Sequence, residues 1–146
     1  MTVRITIIGL GQIGASLGLA LAAHKEQVST LGHDKSPTTA RQAQKRGAVQ
    51  AVAYTLPGAV QKADVVVLAI PLNEMRAALE VIAPVLKEDA VVLDTSPVKT
   101  AVAGWVKELL PPGRHYVGLA PALNPDVLYE PGGGLEAARA DRSPGG

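Results

Sequence analysis

Three glycines within six residues are the first feature of this chain that could do chemistry. Gly9-Leu10-Gly11-Gln12-Ile13-Gly14 follows a short β-branched run and precedes a helical pattern. Each glycine then has a physical task. Gly9 permits a tight turn out of the strand, Gly11 lets a pyrophosphate approach the backbone, and Gly14 lets helix and strand pack closely. Gln12 and Ile13 stand at the helix N-terminus, where unpaired N–H groups and a partial positive charge suit phosphate. Asp34 lies 20 residues after Gly14, at the end of the next expected strand, where an acid bonds ribose hydroxyls. The spacing predicts a dinucleotide site. An acid there repels a 2′-phosphate, so NAD is expected ahead of NADP, with Lys35 and Arg41 as charges that soften the preference. The plainer alternatives are glycines serving chain geometry alone, and Asp34 as a loop residue or a cap competing with Ser36.

Two further blocks belong at the same edge. Ile70-Pro71 ends an apolar strand, either as a simple terminator or as a wall beside the cofactor's ribose; the two roles are compatible. Asp94-Thr95-Ser96-Pro97-Val98-Lys99 follows one strand further on. Ser96 is expected to cap a helix, and it is also the sole candidate for a catalytic contact to nicotinamide or substrate. Lys99 reads as a solvated first-turn lysine that an anionic small-molecule substrate could use. The histidines at 24, 33 and 115 lack metal-ligand spacing, and there is no cysteine. No metal site, disulfide or thiol nucleophile is expected. His33 is expected to be exposed beside a turn.

The elements that must position these residues alternate along the chain. Strands are expected at 3–8, 28–32, 49–53, 64–70, 90–93 and 116–119. The first helix should stack Ile13, Leu17 and Leu21 on one face. Ser36-Pro37 starts a helix that runs to Arg46 and stops at Gly47. A short helix follows Pro57, Asn73 caps a helix with Met75, Leu79 and Ile82 inward, and Ser96-Pro97 opens one carrying Val102, Trp105, Val106 and Leu109. Such alternation predicts a doubly wound α/β fold, a mostly parallel sheet with helices on both faces. The length of 146 residues suits one domain, and 14 basic against 13 acidic residues leave no charge excess for nucleic acid or a membrane surface. No apolar run reaches a membrane span, so a cytoplasmic protein is expected. With 47% hydrophobic residues but no Phe, the core must be aliphatic. Residues 1–121 form the expected dinucleotide-binding domain. Residues 122–146, rich in Pro and Gly, read as a tail or the start of a missing second domain.

Four blocks carry a resemblance: ITIIGLGQIGASLGLAL, the HD at 33–34, ADVVVLAIPL and VVLDTSPVK. In this order they resemble the cofactor domain of prephenate/arogenate dehydrogenases over roughly residues 3–121. The resemblance implies a Rossmann-type fold and NAD(P)-dependent oxidative decarboxylation of prephenate or arogenate, on the route to tyrosine. It assigns Gly9, Gly11, Gly14 and Asp34 to cofactor binding and aligns Asp94, Val98 and Lys99 with a later family block. Two positions depart from the pattern. Pro97 stands where the family has Ser, with Ser96 one place earlier. Gly118-Leu119-Ala120-Pro121 stands where the family's G-x-H-P carries a catalytic His. Alanine takes no proton, and nearby Asn124 takes none either, so cofactor binding with negligible turnover is expected. The alternatives are a different nicotinamide-dependent reductase, of an imine or a hydroxy acid, and a non-catalytic dinucleotide-binding module. The family's helical second domain has no counterpart in these residues, which read as a fragment or a shortened relative. A homodimer is expected only if such a C-terminal helical domain exists.

Overall fold

The computed structural model describes residues 2–119. Its elements run β1 (Val3–Ile8), α1 (Gln12–Ala22), β2 (Val28–His33), α2 (Pro37–Lys45), β3 (Ala51–Val52), α3 (Leu56–Val60), β4 (Val65–Leu68), α4 (Leu72–Ile82), β5 (Val91–Asp94), α5 (Lys99–Leu109) and β6 (His115–Gly118). All neighbouring strands pair in parallel, in the order β3-β2-β1-β4-β5-β6. The chain thus winds outward from β1 in one direction, returns, and winds outward in the other. The fold is the doubly wound, Rossmann-type α/β fold that the alternation predicts.

Strand pleating divides the core. Ile7 and Val67 sit opposite each other in register and project to one face, with Leu10, Ala40, Ala43 and Val49. Ile8 and Leu68 project to the other, against Met75, Leu79 and Ile82 of α4 and Val102 of α5. These side chains are almost wholly buried, the Val, Leu, Ile and Met among them each worth about 1.5–3 kcal/mol relative to exposure. Buried polar groups are paired: the Thr6 hydroxyl donates to Ala59 O at 2.6 Å.

Several boundaries depart from the sequence reading. On α1 the buried residues are Gly14 and Gly18, while Leu17 and Leu21 are only half-buried and Ile13 is exposed. The helix lies too close to its neighbours for side chains there: a Cβ on Gly18 would fall 2.1 Å from Ala48 O. Asn73 does not cap α4. Pro71, with φ −59° and ψ 149°, turns the chain straight into a helix starting at Leu72, so Asn73 is already helical. Ser96 does not cap α5, which starts at Lys99 after Val98. Thr55, accepting from Gly58 N–H, starts α3 one residue before Pro57. Ser36 does cap α2, accepting from Thr39 N–H at 3.3 Å, with Pro37 in the first turn. The expected strands shorten to 51–52 and 65–68, and the last two shift by one residue to 91–94 and 115–118. Ala120, Pro121, Asn124 and the expected tail at 122–146 lie outside the described residues.

Candidate functional site

The glycine turn leaves β1 at the carboxyl edge of the sheet. Gly9 takes φ +94°, a conformation that disfavours side chains, and a Cβ there would fall 2.3 Å from Ala69 O. A Cβ on Gly14 would fall 1.8 Å from Gly9 O. Gly11 differs: a Cβ there meets nothing within 4 Å. Chain packing therefore explains Gly9 and Gly14, and leaves Gly11 unexplained. Gly11 is also the N-cap of α1, and no side chain caps that helix. Its first-turn N–H groups face the same edge without a side-chain acceptor.

Asp34, just past the end of β2, reaches back to this turn. Its carboxylate accepts from Leu10 N–H at 2.9 Å through Oδ2, and from Ser36 N–H at 2.9 Å through Oδ1. It is thus a loop-shaping residue, and it also lines the groove beside the turn. His33 is half-buried rather than exposed, with Nδ1 3.0 Å from Ala53 O. Lys35 is not an unopposed charge: its Nζ lies 3.0 Å from Glu74 Oε2, on the first turn of α4.

Two clefts of about 460 Å³ each meet over the switch point between β1 and β4. Gly11, Ala69, Ile70 and Pro71 line both, so the two form one groove across the carboxyl edge. One half is bordered by Gly9, Asp34, Lys35 and Glu74. The other is bordered by Gln12, Ile13, Thr95, Ser96 and Val98. The fold thus brings together Gly9, Gly11, Gln12, Ile13, Asp34, Ile70, Pro71 and Ser96 around one groove. Gly14 stands behind it, packed on Gly9.

The 94–99 segment behaves differently from its sequence reading. Asp94 is wholly buried, and its carboxylate accepts from Ser96 N–H at 2.7 Å, Lys99 Nζ at 3.1 Å and the Tyr116 hydroxyl at 3.0 Å. Lys99 Nζ also donates to Asp94 O at 2.7 Å, so this lysine is an internal tie and not a solvated one. The turn at Asp94 delays the helix, and Ser96 Oγ accepts from Val98 N–H at 3.1 Å within the loop. Burial, together with the bond to Asp94, pushes the Tyr116 phenol up to about 12. The Asp–Lys spacing of five was visible in sequence, but nothing local pointed to Tyr116. Among the described residues no group of three His, Asp or Glu is placed to hold a metal. No helix of the described residues is long and apolar enough to cross a membrane.

Residues 17–130 match the family described as "Prephenate dehydrogenase, nucleotide-binding domain". The chain is 35% identical over 108 residues to a cyclohexadienyl dehydrogenase of Zymomonas mobilis, covering 74% of this chain and 37% of that protein. The Synechocystis arogenate dehydrogenase structure superposes with a TM-score of 0.65 at 30% identity, covering 73% of this chain and 37% of that one. The A. aeolicus prephenate dehydrogenase, solved with hydroxyphenyl propionate and NAD+, superposes with a TM-score of 0.71, covering 81% and 41%. At 22% identity, that likeness speaks to the fold. The chain spans well under half the length of each of these proteins. Matched over more than half its residues, it belongs to the prephenate dehydrogenase family and carries that family's nucleotide-binding domain.

Proposed function

We propose that the groove holds an NAD(P) dinucleotide, NAD by preference, as the cofactor half of a dehydrogenase acting on prephenate or arogenate. The observation that carries this reading is Gly11. It borders both halves of the groove, and a side chain there would enter empty space, so packing does not require its absence while an approaching ligand would. The turn and the α1 N-terminus would hold the pyrophosphate. Asp34 would accept from the ribose hydroxyls of the adenosine end, and Ile70 and Pro71 would wall the middle. Thr95 to Val98 would border the nicotinamide end, with a small anionic substrate beyond. The cofactor, when bound, supplies a hydride acceptor at its nicotinamide ring.

Oxidising a cyclohexadienol also requires a base to take the hydroxyl proton, a contribution of about 10²–10⁴-fold in rate. Among the described residues lining the nicotinamide half, none titrates near neutral pH. Ser96 is buried and its oxygen already serves Val98; without an activating partner it is no base. Cofactor binding without turnover, the second reading of the chain, rests on Ala120 at the position where the resemblance puts a histidine. Calorimetric titration with NAD+ and with NADP+ tests the site: binding of both is expected, NAD+ more tightly. Absence of binding to either overturns the reading.

A further inference from the structure

Glu74 is assigned no role by the glycine turn or by the resemblance. It lies on α4, 39 residues beyond Lys35, yet the fold closes the two into an ion pair of 3.0 Å at the rim of the Asp34 half of the groove. Both side chains line that half, beside Asp34. Among the described residues Lys35 is the single Lys or Arg lining it, beside His33, and Arg41 is not among its residues. With Lys35 bound to Glu74, the charges there sum to that of Asp34 alone. A 2′-phosphate, which would otherwise find the Lys35 ammonium next to the ribose position, meets instead a cation already neutralised by Glu74, and the uncompensated acid Asp34.

Resting on the reading of the groove as a dinucleotide site, we propose that Glu74 is a cofactor-specificity residue: it holds Lys35 away from a 2′-phosphate and so adds to the discrimination against NADP that Asp34 provides. The pair is suited to this role because it is weak. The Lys35 side chain is 78% exposed and that of Glu74 32%, a setting in which ion pairs contribute little to stability. Removing Glu74 therefore releases Lys35 without unsettling the fold. Its effect is expected in ligand choice and not in the melting temperature.

The test is calorimetric titration of NAD+ and NADP+ into the 146-residue chain at low salt, with E74Q, K35Q and the double variant. E74Q is expected to raise NADP+ affinity by ~3–5-fold, the size of one surface charge interaction at low salt, while NAD+ affinity stays within about twofold of wild type. In the K35Q background the same change should give less than half that gain, which a double-mutant cycle reads directly. An unchanged NAD+/NADP+ ratio in E74Q overturns the proposal, and so does an equal gain with and without Lys35. Failure of the wild-type chain to bind either dinucleotide is a different result, and it overturns the reading of the groove itself.

Discussion

Within one six-residue turn, packing accounts for Gly9 and Gly14 and the proposed dinucleotide for Gly11, and substitution should separate them. A Cβ on Gly14 would fall 1.8 Å from the Gly9 carbonyl, backbone that cannot swing aside. Gly14→Ala should cost about 1–3 kcal/mol, the usual scale of overpacking, and lower the Tm by several degrees. A Cβ on Gly11 meets nothing within 4 Å, so Gly11→Val should cost only about 1 kcal/mol, the loss of a favoured N-cap residue of α1, yet bind NAD(H) at least ~10-fold more weakly. Differential scanning calorimetry beside titration checks both; a Gly11→Val chain with full affinity would mean the ligand lies elsewhere. Asp34 has a structural role and, in the proposed site, a recognition role as well. Asp34→Ser removes the acceptor for Leu10 and Ser36 N–H groups, at about 1 kcal/mol each. It should also shift the NAD/NADP affinity ratio toward NADP by ~10-fold as the repelling charge goes. A ratio that stays put would show that the carboxylate does not face the ribose.

Side chains cap the starts of α2 and α3, and the β5–α5 connection shows how a buried carboxylate overrides a cap. Ser96-Pro97 reads as a helix start, but Asp94 captures the Ser96 N–H and holds the chain in a loop for three residues. The same carboxylate draws in Lys99 from α5 and Tyr116 from β6, tying together the three elements behind the Ser96 half of the groove. This tie gives stability a pH dependence. The Tyr116 phenol is raised to about 12 by burial and by its bond to Asp94, against about 10 when unfolded. A raised folded pKa means that the contribution is complete below pH ~10 and is lost as pH climbs toward the folded value. Urea unfolding followed from about pH 9 to 12 should show a falling midpoint, and Tyr116→Phe should flatten that decline. If the two chains lose stability in parallel, the phenol is not the titrating group.

At the scale of the molecule, the parallel sheet and its reversal of strand order create the groove without any single residue specifying it. β1 and β4 are neighbours whose following helices, α1 and α4, lead to opposite faces, so the turns after them part and leave a crevice at the carboxyl edge. The chain spans 37% of its cyclohexadienyl dehydrogenase relative. An NADH-formation assay with prephenate and with arogenate should give turnover far below ~10 s⁻¹, a typical enzyme rate, because Ala120 stands at the family's histidine position. Ala120→His in the longest native form should restore it. Full activity with Ala120 in place would locate a base in another part of the protein.

The sequence by itself determined the element types, their alternation and the glycine turn, because those depend on near neighbours: apolar period, the Ser36 cap, and glycines where the turn leaves no room for side chains. Ser36 before Pro37 and the β-branched run before Gly9 needed no tertiary information. Tertiary structure alone decided the pairing of Lys35 with Glu74 and of Asp94 with Tyr116, 22 residues further on. It also decided that Gly14 and Gly18, and not Ile13, form the buried face of α1. Such contacts arise when crossovers bring distant segments to one edge in register, and the local pattern at Glu74 or Tyr116 carries no trace of which partner will arrive.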